Sequence, residues 1–273
     1  MTRRVARRPP SSFGRPAFSM TEPPPQVVAA RRLLQEVCTL LAPFRDDTVL
    51  IGGWVPEIRF PDATPAHVGS IDVDFAVRAG RERHAQVIAL LLRHGFRQGT
   101  EPYQFVKNLE IAGRSFPVRL DLLTSRRHHA EIFECSPAAP FPVGGAEYAL
   151  LHHSLELIGS TEVRVASVVP FLIMKAHAIL GRDKPKDAYD LHFCLENSPG
   201  RIPTLVVEFA GLIDDPDVRD VLSRLAGRFR DENDAGPCAV VEVEGQMGDA
   251  RAIRKLAVFT QVDDFLRALR IRP

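Results

Sequence analysis

"VLIGGWVPEIRF", residues 49–60, is an apolar run that stops at two glycines and continues straight into Trp54, Val55 and Pro56. Thr48–Ile51 predicts a strand, and the residues after Gly53 predict a short helix. Two glycines at the end of such a strand let the backbone turn tightly and leave no side chain between its N–H groups and a ligand. That suits a phosphate, and it equally suits an ordinary strand-to-helix turn. The neighbouring elements decide between the two.

The next apolar run, "IDVDFAV" at 71–77, alternates Ile71, Val73, Phe75 and Val77 with polar or small residues, which predicts a strand. Its period of two puts Asp72 and Asp74 on one face, roughly 7 Å apart. Two carboxylates aimed the same way repel. They either face water at a strand end or share a cation such as Mg²⁺, which is bound by one or two carboxylates together with substrate phosphates. A later strand, "FPVRLDLLT" at 116–124, sets Phe116, Val118, Leu120 and Leu122 on one face and Arg119, Asp121 and Leu123 on the other. An acid between two leucines in mid-strand is disfavoured unless something is gained by it. If this strand neighbours that of Asp72 and Asp74, three carboxylates converge beside the glycine turn. Such a set can hold two Mg²⁺ ions about 4 Å apart, one activating an attacking hydroxyl and one bridging a triphosphate.

A strand ending in Gly-Gly, then D-x-D on the next strand, then one more Asp on a later strand, resembles the polymerase-β-type nucleotidyltransferase superfamily. The resemblance implies that Gly52 and Gly53 contact nucleotide phosphates. It also implies that Asp72, Asp74 and Asp121 bind the metals for attack of a hydroxyl on the α-phosphorus, with loss of pyrophosphate. The loop around Pro61–Gly69 is longer than the superfamily usually carries.

"PFLIMKAHAILGRDKPKDAYDLHF", residues 170–193, is the second informative stretch. Lys175 interrupts an apolar turn, with Phe171, Ile179 and Arg182 on its side at helical spacing, and Pro185 should break or restart the helix. Taken singly, these residues read as a snorkelling lysine and a solvated acidic face. Taken together, Lys175 and Arg182 can neutralise phosphate charge while Asp187 or Asp190 holds the cations in place. The spacing K-x₆-R-x₃-K-D-x-Y-D-L, with Gly-Gly and S-x-D-x-D, resembles the AbiEii-like branch, the nucleotidyltransferase toxins of type IV toxin–antitoxin and phage-defence systems. The resemblance covers roughly residues 45–195. It implies that Lys175 and Asp187 are catalytic, that Ser70, Arg182, Lys186 and Asp190 join the glycines in binding nucleotide, and that the acceptor is RNA, with tRNA foremost. A cognate antitoxin is implied as well.

Around these stretches the chain alternates strands and helices and then turns helical over 168–181, 186–197, 203–213, 216–229 and 252–270. The expected fold is an α/β (α+β) nucleotidyltransferase core with a mixed sheet, followed by a mostly α-helical C-terminal domain. The expected division is a disordered basic, proline-rich tail (1–25), a nucleotidyltransferase domain (26–166) and a helical domain completing the active site (167–273). Within the tail, Met20 is a second candidate start. A first amphipathic helix is expected over 26–44.

Of 273 residues, 45% are apolar and 25% charged, the profile of a soluble globular protein. Arg3, Arg4, Arg7, Arg8 and Arg15 precede any acid. Removing their five charges from the net +1 leaves residues 20–273 at −4, so the body is not a basic nucleic-acid surface by composition. Cys38, Cys135, Cys194 and Cys238 have no metal or disulfide spacing, and no run is long enough for a membrane helix, so a cytoplasmic protein with reduced thiols is expected. His128–His129 and His152–His153 are neighbours that cannot face one site in a helix or strand, and Trp54 and Tyr189 are read as packing residues. The leading expectation is therefore a Mg²⁺-dependent, NTP-consuming nucleotidyltransferase toxin acting on RNA. Two alternatives stand beside it: a transferase of nucleotides to a small, aminoglycoside-like molecule, which the −4 body fits, and a nucleotide-binding module whose chemistry has decayed.

Overall fold

The computed structural model describes residues 22–132 and 139–272. The expected tail falls mostly on residues 1–21, which lie outside them, as does Cys135. Cys38, Cys194 and Cys238 are free thiols.

α1 (Pro25–Leu41) begins on proline, whose missing N–H has no partner to lose in a first turn, and it buries Val27, Ala30, Leu34, Val37 and Leu41 as a stripe. β1 (Thr48–Ile51) is buried at every position, which is why its sequence does not alternate. A 3₁₀ turn, Gly52–Trp54, passes directly into α2 (Val55–Arg59). A loop leads to β2 (Asp72–Val77), α3 (Arg81–Arg93), β3 (Arg97–Gln98), β4 (Gln104–Ile111) and β5 (Arg114–Thr124). Then come α4 (Arg126–Ile132), β6 (Phe141–Pro142), α5 (Ala146–Leu151), β7 (His153–Ile158) and β8 (Thr161–Ala166). Six helices follow: α6 (Val168–Gly181), α7 (Pro185–Asn197), α8 (Arg201–Phe209), α9 (Pro216–Leu225), α10 (Ala235–Val243) and α11 (Gly248–Ala268).

The strands form one mixed sheet in the order β3-β4-β5-β2-β1-β8-β7, with β6 beside the end of β5. β2 runs antiparallel to β1 and parallel to β5. The expected α/β core with a mixed sheet and a helical C-terminal half is the fold observed. α1 lies across β2, β4, β5 and β8, while α5 lies across β1, β2 and β5. α2 rests on both α6 and α7, which brings the helical half against the glycine turn. The buried apolar cluster is continuous from Val27 to Leu269. Among the described residues, no helix is long and apolar enough to cross a membrane.

Several elements differ from expectation. β4 carries Lys107, Asn108 and Glu110 among its apolar residues, so its alternation is diluted, and it becomes a strand by pairing with β5 along its whole length. α10 opens Ala-Gly-Pro, which reads as a turn. Pro237 is accommodated in the first helical turn, and Gly236 lies against the Phe229 ring, where a Cβ would come within 2.3 Å. Ile71, expected on the apolar face of its strand, is 60% exposed because pairing begins only at Asp72. Pro185 restarts the chain as the first residue of α7, as its fixed φ favours.

Candidate active site

The register of β1, β2 and β5 builds the floor of a cleft of about 420 Å³. Ile51 stands opposite Asp74 on one side and Asp121 stands opposite Asp74 on the other. Val73, Phe75, Leu120 and Leu122 are buried in the core, so the pleat turns Asp72, Asp74 and Asp121 to the cleft.

The glycines fit this floor closely. Gly52 has φ +73°, and a Cβ there would meet Asp74 Oδ2 at 1.9 Å, so only glycine fits. A Cβ on Gly53 would meet Ser70 Oγ at 2.6 Å and Lys186 Nζ at 3.0 Å. Trp54 does not reach the cleft: it is fully buried, and its Nε1–H donates to the carbonyl of Asp72 at 2.9 Å.

The three acids differ electrostatically. Burial pushes Asp74 up to about 7, reinforced by repulsion from Asp72 and Asp121. Burial likewise lifts Asp121 to about 6, the Arg119 guanidinium offsetting only part of it. For Asp72, burial is outweighed by the Lys184 ammonium, a hydrogen bond from Ser70 Oγ at 2.9 Å, and Arg119, so its carboxyl lies below the usual range. Arg119 donates to Asp72 at 2.6 Å, and its Nε stands 3.2 Å from Asp121 Oδ1, a buried oxygen without an aligned hydrogen bond. Lys184 Nζ lies 3.8 Å from Asp72. As they stand, Asp72 and Asp121 are drawn onto these cations. Among the described residues, no three His, Cys, Asp or Glu side chains converge in a metal-holding geometry.

The wall facing the sheet comes from α6 and α7. Lys175 is 7% exposed and Asp187 and Asp190 are fully buried. Lys175 Nζ lies 2.7 Å from Asp187 Oδ1 and 2.7 Å from Asp190 Oδ2. Arg182 bonds Asp187 at 2.7 and 3.0 Å, and Lys186 bonds Asp190 at 2.7 Å. Burial alone would favour the neutral form of Lys175, but Asp190 and Asp187 overcome it and raise its pKa. For Lys186 burial wins over Asp190, and its pKa falls. Lys175 is thus the buried centre of an ion network, while Lys186 is the ammonium that reaches Gly53 and Arg182 the more open cation at the rim.

Gly52, Gly53, Ser70, Asp72, Asp74, Asp121, Lys175, Arg182, Lys186, Asp187 and Asp190 all line this one cleft. Three further basic side chains in or behind it are not marked as site residues by the sequence patterns. Arg119 shares the face of Asp121 two residues away, a signal present in the strand period. Lys184 lies in the basic run before α7. His67 stands in the long loop before β2, where nothing local marks it, and contacts Asp190. His128 and His153 face the carbonyls of Ala79 and Ala149 instead of this cleft.

A family model described as nucleotidyl transferase AbiEii toxin, Type IV TA system, matches residues 32–235. Among solved structures, the chain is similar to an antigenic nucleotidyltransferase-like protein from Paracoccidioides brasiliensis. The TM-score is 0.43 and the identity 14%, covering 73% of this chain and 88% of that one. No curated protein matches the chain.

Proposed function

The chain belongs to the AbiEii nucleotidyltransferase toxin family of type IV toxin–antitoxin systems, and from that premise we propose a Mg²⁺-dependent transfer of nucleoside monophosphate from an NTP to an RNA hydroxyl, with tRNA as the foremost acceptor. The observation that carries this reading is the register of Asp74 with Asp121, directly beside a Gly-Gly turn that presses on Asp74. Residues 26–166 supply the sheet with its acids, and residues 167–273 supply the basic wall that completes the site. A cognate antitoxin follows from the same membership.

The donor set suits a hard cation. Three carboxylates share one floor, two of them with raised pKa values, and Arg119 already bridges Asp72 and Asp121 as a positive charge that is partly open to solvent. Asp72, Asp74 and Asp121 would hold Mg²⁺ there. Bound metal would supply acidification of the acceptor hydroxyl and neutralisation of phosphate charge. The chain's own groups do the rest. The backbone at Gly52 and Gly53 receives the triphosphate without a side chain in the way, and Lys186 and Arg182 bring positive charge to it. An O–P bond forms between the acceptor oxygen and the α-phosphorus as the bond to the β-phosphate oxygen breaks, and pyrophosphate departs. The hydroxyl proton leaves towards the carboxylates of this floor, where burial raises the pKa of Asp74 and of Asp121. Asp187 and Asp190 hold Lys175, Arg182 and Lys186 in place.

A second reading, transfer to a small molecule, is favoured by the −4 charge of residues 20–273. One experiment separates the two. Purified protein is incubated with each α-labelled NTP, Mg²⁺ and total cellular RNA. Label on RNA supports the proposal, label confined to small molecules overturns the RNA acceptor, and no label on either overturns transfer.

A further inference from the structure

The cleft has two ends. Gly52, Gly53 and Lys186 occupy one, beside β1 and α7; the other lies past Asp121, where two aromatic rings stand that phosphate binding does not use. Gln104 of β4 is in register with Asp121, and the preceding residue, Tyr103, accepts a hydrogen bond from Leu122 N–H at 2.9 Å through its carbonyl. Phe141 of β6 is paired with Leu123. Both rings line the cleft, their centroids are 4.9 Å apart at 36°, and Phe141 remains 46% exposed. An aromatic surface left this open beside a charged site gains free energy when an apolar group covers it, and a flat π-face adds stacking to that burial. Arg126, the first residue of α4, and His177 of α6 line the same end. A Cβ on Gly144 would come within 2.7 Å of the His177 ring, so the backbone there is packed tightly on that side chain.

We infer that Tyr103 and Phe141 form a stacking shelf for an unpaired nucleobase, with Arg126 beside it for the attached phosphate. This rests on the reading of the chain as an RNA-directed nucleotidyltransferase. At 4.9 Å the two rings admit nothing between them, so the base lies on the open face of the pair. Stacking of this kind tolerates any base, because every base has a π-face. The order of the cleft argues for the acceptor. The triphosphate is received on the glycine side of the carboxylates, so the group beyond Asp121 is the one that brings the hydroxyl.

The test uses the full chain and the variants Tyr103→Ala, Phe141→Ala, Tyr103→Phe and Phe141→Leu. Phe141→Leu keeps apolar bulk and removes the π-face should the alanine variant fail to fold. Each is titrated with deacylated tRNA and with a single-stranded RNA carrying a 3′-terminal 2-aminopurine, whose fluorescence is quenched by stacking, and separately with each of the four NTPs and Mg²⁺. The alanine variants and Phe141→Leu are expected to bind RNA roughly 5- to 100-fold more weakly. Tyr103→Phe should bind as wild type does, and NTP affinity should not change. Loss of NTP affinity in place of RNA affinity would assign the shelf to the incoming nucleotide's base. Unchanged affinity for both RNA and NTP overturns the shelf. Label transfer by wild type is measured in parallel: transfer with indifferent variants sinks the shelf alone, whereas absence of transfer sinks the reading beneath it.

Discussion

His67 Nε2 lies 2.9 Å from Asp190 Oδ1, across 123 residues of sequence, while His67 Nδ1 accepts the backbone N–H of Gly69 at 3.1 Å. An acceptor at Nδ1 places the ring proton on Nε2, so a neutral imidazole donates to the carboxylate. Burial favours the same state by lowering the histidine's pKa. The long loop before β2 is therefore tied to α7, and through Asp190 to Lys186 at the glycine turn. The extra loop length is what lets His67 reach the helical half.

His67→Ala leaves Asp190 one donor short and the Gly69 N–H without its acceptor. We expect a loss of about 1–3 kcal/mol in denaturant unfolding, with KM for NTP rising as Asp190, the partner of Lys186, loses one of its anchors. His67→Gln, which keeps a donor and an acceptor, should recover part of both. Equal behaviour of the two variants would show that the hydrogen bonds are immaterial.

Asp74→Asn removes one of the mutually repelling carboxylates at nearly constant volume. The melting temperature should hold or rise. Transfer should fall by more than about 100-fold, beyond the loss usual for partners outside a metal's ligand set. Transfer at the wild-type rate would remove Asp74 from the mechanism.

Gly52→Ala and Gly53→Ala should separate sharply. The first places a Cβ on Asp74 at φ +73°, a conformation costing about 1–3 kcal/mol in itself, and should lower both the melting temperature and transfer. The second carries no positive φ but meets Ser70 Oγ at 2.6 Å and Ser70 Cβ at 2.9 Å beside the movable Lys186 Nζ at 3.0 Å, so it should lower the melting temperature less than the first and lose affinity for NTP. Identical melting temperatures for the two would contradict the close approach at Gly52.

Lys175→Met keeps the stem and deletes the charge between Asp187 and Asp190. Breaking a buried pair by removing one partner costs about 3–5 kcal/mol, read from chemical denaturation. A variant as stable as wild type would mean that Lys175 is not the centre of the network.

His192 gives a pH test remote from the cleft. Burial, reinforced by Arg254 and opposed by Glu196 and Glu244, lowers its pKa to about 4. An unfolded histidine titrates near 6.5, so between about 6.5 and 4 the unfolded chain holds a proton that the folded chain does not. Stability should fall as pH falls through that window, by roughly 3 kcal/mol from this residue. His192→Leu should flatten that part of the profile, and an unaltered acid limb would refute the assignment.

The strands, helices and local residue sets followed from the sequence because they depend on neighbours. Period two put Asp72 and Asp74 on one face, and helical spacing grouped Lys175 with Arg182. β4 and α10 were illegible because their form depends on what they pack against, β5 in one case and the Phe229 ring in the other. Tertiary structure alone decided that β5 lies beside β2, setting Asp121 opposite Asp74. It also decided that Lys175 is enclosed by two acids, that Arg119 bridges Asp72 and Asp121, and that His67 reaches Asp190. Side-chain direction within one element is set by covalent geometry over a few residues. Strand order and contacts across 123 residues are set by which global packing buries the most apolar surface while pairing every buried charge, a competition that no single stretch of sequence contains.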